Sequence, residues 1–225
     1  MLQIHRGTVW GVAAFAAGVA AAAACASADA SAGQTPSPND AAPDRVARAD
    51  SVRGSYTPAD VEFMTGMIHH HAQALVMSSM APTHGASGPL QIMAERIIVG
   101  QNDEIALMQR WLRDRNQPVP DPEGMDMATH GASHAIHMPG MLSAAQLAEL
   151  DAARGPDFDR VFLTYMIQHH QGAITMVEEL FASYGAAQGD AIFKIASDIS
   201  ADQSSEIDRM QTMLRELLFE PESSP

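Results

Sequence analysis

Two pairs of consecutive histidines are the residues of this chain with the most chemistry in them. His70 and His71 follow Met67 and precede Met77, and His169 and His170 follow Met166 and precede Met176 at the same spacing. Imidazole nitrogen suits Cu, Zn, Fe and Ni, and a thioether sulfur adds a preference for Cu(I). At 3.6 residues per turn, Met67, His70, His71, Ala74 and Met77 share one broad helical face, and Met166, His169, His170, Ala173 and Met176 repeat it. His69 and its counterpart Gln168 are expected to point outward. Two further stripes, one with Gln101, Glu104 and Met108 and one with Gln203, Glu206 and Met210, set polar groups on otherwise apolar faces. A buried carboxylate or imidazole without a partner is costly, so each needs one.

Two accounts of these groups compete. In the first, each hairpin buries a Glu–His hydrogen bond, and the methionines are flexible core filler. In the second, the histidines, the methionines Met67, Met77, Met108, Met166, Met176 and Met210, and the carboxylates Glu104 and Glu206 hold a metal ion. The pattern occurs twice in one chain, and core packing alone has no need of histidine there, which favours the metal. The softness of the set points to copper, as Cu(I) or Cu(II), with silver as a soft analogue and zinc or iron as alternatives. Imidazole must lose its proton to bind, so binding is expected to weaken as pH falls through about 6.5. His130, His134, His137, Met138 and Met141 crowd into a Gly/Pro-containing stretch with no core to fill, and a second, looser loading segment is expected there. His84 is a further, weaker candidate.

The elements that must position these groups follow from the punctuation. Thr57-Pro58-Ala59-Asp60 starts a helix with a capping threonine, proline in the first turn and an acid behind it, and this helix is expected to run to about Met80. A second helix is predicted from about Pro89 to Arg115, ended by Pro118 and Pro120, and a short third over 143–153, where Ser143 and Gln146 form a capping box. Gly155-Pro156 restarts the chain into a helix to about Tyr184, and Gly185 and Gly189 lead into a last helix over 190–219. The segments around the histidine pairs align without gaps from Asp60 to Met77 and from Asp159 to Met176. Gln101–Met108 likewise aligns on Gln203–Met210. Each half is therefore a helical hairpin of one design, and two hairpins bury their stripes as an all-α four-helix bundle with a short extra helix in the linker.

Domain organisation reads from the same pattern. Residues 1–25 form an export signal: His5 and Arg6, then an uncharged apolar run from Val9 to Ala24, too short for a comfortable membrane span. The run ends on the lone cysteine, Cys25, in the manner of a lipoprotein cleavage site, with lipidated Cys25 as the new N-terminus; cleavage after Ala28-Asp29-Ala30 is the alternative. Residues 26–56, rich in Ala, Ser, Pro and Asp, read as a disordered tether. The bundle domain covers 57–220, with repeat one at 57–115, a His/Met-rich linker at 121–142 and repeat two at 156–220. The protein is thus expected outside the cytoplasm, periplasmic or anchored to the membrane through Cys25. A formal net charge of −14 argues against nucleic acid and against docking on an anionic lipid surface.

The pattern Met-Ile-x-His-His-x-x-Ala-x-x-Met at 67–77 and 166–176, with Gln-x-x-Glu-Ile-x-x-Met at 101–108 and 203–210 and Met-Pro-Gly-Met at 138–141, resembles a bacterial family, domain of unknown function 305. The resemblance covers residues 57–219. It implies a ferritin-like four-helix bundle and, from a characterised periplasmic member, copper binding and copper tolerance, carried here by His70, His71, His169, His170 and the neighbouring methionines. The main rival is a ferritin-like di-iron or di-manganese oxidoreductase, which needs Glu-x-x-His on two helices; no glutamate of this chain has a histidine three residues later. A zinc site and a metal-free structural lipoprotein complete the alternatives. No nucleophile elbow, phosphate loop or dinucleotide fingerprint occurs, so a binder rather than an enzyme is expected. Its partners would be metal ions, with a copper-transfer partner or a second copy of the chain as further candidates.

Overall fold

The structure, a computed structural model, describes residues 56–122 and 138–219. The export signal, Cys25, the tether up to residue 55 and the linker ligands His130, His134 and His137 lie outside these residues. Within them the chain is all helical: α1 Pro58–Ser79, α2 Gly88–Asp114, α3 Ala144–Ala152, α4 Pro156–Ala182 and α5 Asp190–Phe219. No strand occurs among the described residues, and no described helix is long and apolar enough to cross a membrane.

The helix ends follow local chemistry. The Thr57 hydroxyl accepts from the Asp60 amide, and the Asp60 carboxylate accepts from the Thr57 amide at 2.7 Å. Ser143 and Gln146 form the same reciprocal box ahead of α3. The end of α2 is not made by Pro118 and Pro120 as expected. Asn116 turns left-handed, with φ 54°, and the amides of Asn116 and Gln117 donate to the carbonyls of Arg113 and Leu112. This closes the helix before either proline is reached.

α1 pairs with α2 and α4 with α5 as the two hairpins; α1 lies against α4 across the centre, and α2 faces α5 more loosely. The apolar interior divides into two clusters. One holds Phe63, Met67, Met108, Trp111, Met176 and Leu180; the other holds Met77, Leu90, Phe158, Phe162, Met166 and Met210. Met67 thus shares a cluster with Met176 and Met77 with Met166, because α1 and α4 run antiparallel across each other. Repeat-related methionines are carried to opposite ends of the bundle, and the histidine pairs are left between them.

The repeat also ties the hairpins together. Asp60 gives Oδ1 to the Ala187 amide at 2.7 Å, in the loop between α4 and α5. Asp159, its counterpart, accepts from the Ser87 amide at 3.1 and 3.2 Å, ahead of α2. Each repeat therefore caps the loop of the other with a buried carboxylate.

Candidate metal centre

His70, His71, His169 and His170 are all fully buried and form a polar layer between the two apolar clusters. The rings of His70 and His169 lie against each other, centroids 3.8 Å apart and 37° from parallel. His71 and His170 flank them, at ring distances of 6.5 Å from His70 and 6.2 Å from His169. Three of the four rings are anchored at Nε2. His70 donates to the Pro139 carbonyl at 3.0 Å, His71 to Glu104 Oε2 at 2.6 Å, and His170 to Glu206 Oε2 at 2.7 Å. A carbonyl or carboxylate oxygen only accepts, so these rings carry hydrogen on Nε2. The Nδ1 atoms of all four histidines are buried without a hydrogen-bond partner, and His169 Nε2 is as well.

Burial sets the charge of the central pair. Desolvation lowers the His70 pKa from 6.5 to about 3, helped by repulsion from His71 and His170 and opposed by the Pro139 carbonyl. His169 is pushed well below 6.5, again mainly by desolvation and then by the other three histidines. The His70 backbone favours its protonated form slightly while lying outside hydrogen-bonding geometry. Both rings are neutral at any physiological pH, the state in which imidazole binds metals. The expected weakening of binding near pH 6.5 therefore does not apply to His70, whose proton would add only at much lower pH.

A strap made by residues 138–142 covers the layer. It crosses α4 where Gly172 faces Gly140: a Cβ on Gly172 would stand 2.0 Å from the Pro139 oxygen. Gly140 is left-handed at φ 77°, and a Cβ there would stand 2.6 Å from the Gln168 carbonyl. Gln73, buried on α1, grips the Leu142 backbone twice, accepting its amide at 2.7 Å and donating to its carbonyl at 3.0 Å. The strap brings Met138 to α1, with its sulfur 3.6 Å from where a Gly66 Cβ would lie and the Met176 methyl 3.4 Å from the same point. Gln168 is not solvent-facing: it donates to the Gly140 carbonyl and accepts from Gln146, and His69 is likewise half-buried.

Of the residues singled out by spacing, the structure gathers the four histidines at one level. Met67, Met108, Met176 and Met138 belong to the cluster on one side of them, and Met77, Met166 and Met210 to the other. Met141 is half-buried at the end of the strap. Glu104 and Glu206 bond the flanking histidines and not the stacked pair. His84 is turned to Thr83 and Asp151, away from the layer. Gln73 and Gly172 carried no expectation from the sequence; an isolated glycine inside a strongly periodic helix was the available signal for the latter. Among the described residues no group of three or more His, Cys, Asp or Glu side chains is already arranged around a metal position. The donor chemistry nonetheless fits a soft ion, because buried imidazoles without Nδ1 partners lie between clusters that carry thioethers.

Residues 60–214 match the family described as Domain of unknown function (DUF305). A fragment of a DUF305 protein from Deinococcus radiodurans is similar in structure, with a TM-score of 0.59, 28% identity, and coverage of 72% of this chain and 98% of that one. CopM in its Cu(I)-bound form is similar at a TM-score of 0.54 and 29% identity, covering 72% of this chain and 98% of that one. The Cu(II)-bound form of CopM gives 0.55 and 29%, over 70% and 96% of the two chains. No protein of curated function matches the chain.

Proposed function

Because this chain belongs to the DUF305 family, we propose that it is an exported copper-binding protein that sequesters or hands on the ion through its buried histidine layer. The observation that carries the reading is the set of four buried imidazoles, each with an unpartnered Nδ1, packed beside thioethers on a fold shared with a copper-bound protein. Burial holds the central pair, His70 and His169, neutral, the state in which imidazole binds a metal. His70 and His169 supply the central nitrogen donors, and Met67, Met138 and Met176, in the cluster on one side of them, supply sulfur. Glu104 and Glu206 orient His71 and His170, as outer carboxylates orient metal-bound histidines elsewhere. Silver, bound by CopM, is the expected soft substitute. The central imidazoles are fully buried against each other, which supports a ligand set.

Export rests on the N-terminal sequence, with lipidated Cys25 as the anchor and His130, His134 and His137 as a looser loading segment ahead of the strap. Mass spectrometry of the chain from the bacterial envelope decides the anchor: an unmodified chain beginning after Ala28 or Ala30 removes it. For the layer, the test is titration of the purified chain with Cu(II), and with Cu(I) against a competing chelator, beside a variant in which His70, His71, His169 and His170 are all glutamine. Tight Cu(II) binding should vanish in the variant while helicity is kept. Unchanged affinity and stoichiometry would mean that the histidines only pack.

A further inference from the structure

Of the two stacked histidines, only His70 meets a hydrogen-bond acceptor among the described residues. Its Nε2 lies 3.0 Å from the Pro139 carbonyl oxygen, whereas both ring nitrogens of His169 are buried without a partner. The two residues hold equivalent places in the repeats, so the difference comes from the segment that joins the repeats and covers the layer as the strap. That strap is fixed independently of His70. Gly140 and Gly172 bring its backbone against α4, Gln168 donates to the Gly140 carbonyl at 3.3 Å, and Gln73 holds Leu142 by two hydrogen bonds. The Pro139 carbonyl is therefore set in place by its neighbours and not by the histidine it meets. A carbonyl only accepts, so the hydrogen of His70 is on Nε2. A second hydrogen on Nδ1 would charge a fully buried ring and add a donor with no acceptor. The lone pair of His70 is thus on Nδ1.

We propose that the Pro139 carbonyl is a positioning group of the copper layer: by holding the His70 hydrogen on Nε2, it makes Nδ1 the atom through which His70 takes a soft ion. This rests on the copper reading and adds to it which atom ligates and what selects that atom. Imidazole binds a metal through the nitrogen without hydrogen, and a carbonyl or carboxylate on the other nitrogen fixes the choice. Ligation through Nδ1 leaves the Nε2 hydrogen on Pro139, so the layer loads without breaking the bond between strap and His70. The ion draws electrons from the ring and makes that N–H a stronger donor, so strap and ion each tighten the hold of the other. Ligation through Nε2 would instead require the strap to lift and Nδ1 to take the hydrogen.

The test uses the full chain with ¹⁵N-labelled histidine and Ag(I), a diamagnetic soft ion, read by long-range proton–nitrogen nuclear magnetic resonance. In the metal-free chain His70 should carry its hydrogen on Nε2, and Ag(I) should move the His70 Nδ1 resonance while the Nε2 hydrogen stays. Gly172→Ala, which displaces the Pro139 oxygen, should mix the two tautomers of His70 and weaken Ag(I) binding roughly tenfold or more. A merely structural strap would lower stability and leave the tautomer alone. A metal-free His70 with its hydrogen on Nδ1 overturns the proposal, and so does a folded Gly172→Ala chain with tautomer and affinity unchanged. Ag(I) held at His70 Nε2, or at other histidines only, overturns it and leaves the copper reading standing. If Ag(I) moves no imidazole nitrogen, the copper reading fails and takes this proposal with it. Should Gly172→Ala not fold, the spectra of the unaltered chain decide.

Discussion

His70 of α1 and His169 of α4 stack with ring centroids 3.8 Å apart, each on a residue equivalent to the other in the two repeats. Such a contact tolerates two neutral rings and not two imidazolium ions. It makes the centre of the bundle a place where nitrogen lone pairs are held uncharged and dry, and the metal-free protein must carry the consequence in its stability.

That stability should fall as the solution is acidified. An unfolded histidine takes a proton near 6.5, whereas folded His70 resists it down to about 3. Protons therefore favour the unfolded chain as pH drops through this window, and the contribution is fully retained above 6.5. The slope reaches about 1.4 kcal/mol per pH unit per histidine. Denaturant unfolding of the metal-free chain at pH 7, 5.5 and 4.5 measures it, and His70→Gln/His169→Gln should flatten the profile. An equally steep profile in that variant would assign the loss to other groups.

The central and flanking histidines should differ in weight. His70→Gln/His169→Gln is expected to remove tight Cu(II) binding. Glu104→Gln/Glu206→Gln leaves every imidazole in place but alters what orients His71 and His170, so affinity should drop about 10–100-fold. Calorimetric titration ranks the two. Copper affinity untouched by the glutamate pair would mean that His71 and His170 take no part.

Sulfur should decide between oxidation states. Leucine in place of Met138 or Met176 keeps volume and loses the thioether, at a stability cost below about 1.5 kcal/mol. Cu(I) affinity, measured by chelator competition, should weaken while Cu(II) binding is spared. Equal loss of both would point to repacking of the layer instead.

Gly172→Ala should unseat the strap, because the new methyl would stand 2.0 Å from the Pro139 oxygen and meet backbone rather than a yielding side chain. A loss of about 1–3 kcal/mol is expected from the clash. His70 Nε2 should lose its carbonyl with it, visible as a shift of the His70 ring resonances in nuclear magnetic resonance spectra. Full stability in the variant would show that the strap is not held there.

The exchanged aspartates are open to the same kind of measurement. Asp159→Ala leaves the Ser87 amide without its acceptor and Asp60→Ala does so for Ala187, each at about 1–3 kcal/mol. Thermal unfolding of the two single variants should show a loss in each, larger for Asp60→Ala, which also gives up the capping bond from the Thr57 amide. A loss in one only would mean that the loops are not symmetrically held.

Helix content, caps and the doubling of the hairpin were legible in the amino-acid order alone, because they depend on contacts within a few residues: Thr57 with Asp60, Ser143 with Gln146, the spacing of Met67, His70 and Met77. The pairing of His71 with Glu104 and of His170 with Glu206 was also within reach, since each joins two stripes of one hairpin. What the sequence could not contain is how the hairpins meet. Identical motifs carry no statement of whether related residues face each other or part. The antiparallel crossing of α1 and α4 brings His70 to His169 and sends Met67 and Met166 to opposite ends. The strap on His70, its passage at Gly172 and the loose contact between α2 and α5 follow from that crossing. They depend on the distance between backbones far apart in the chain, which packing of the whole bundle decides and no local spacing records.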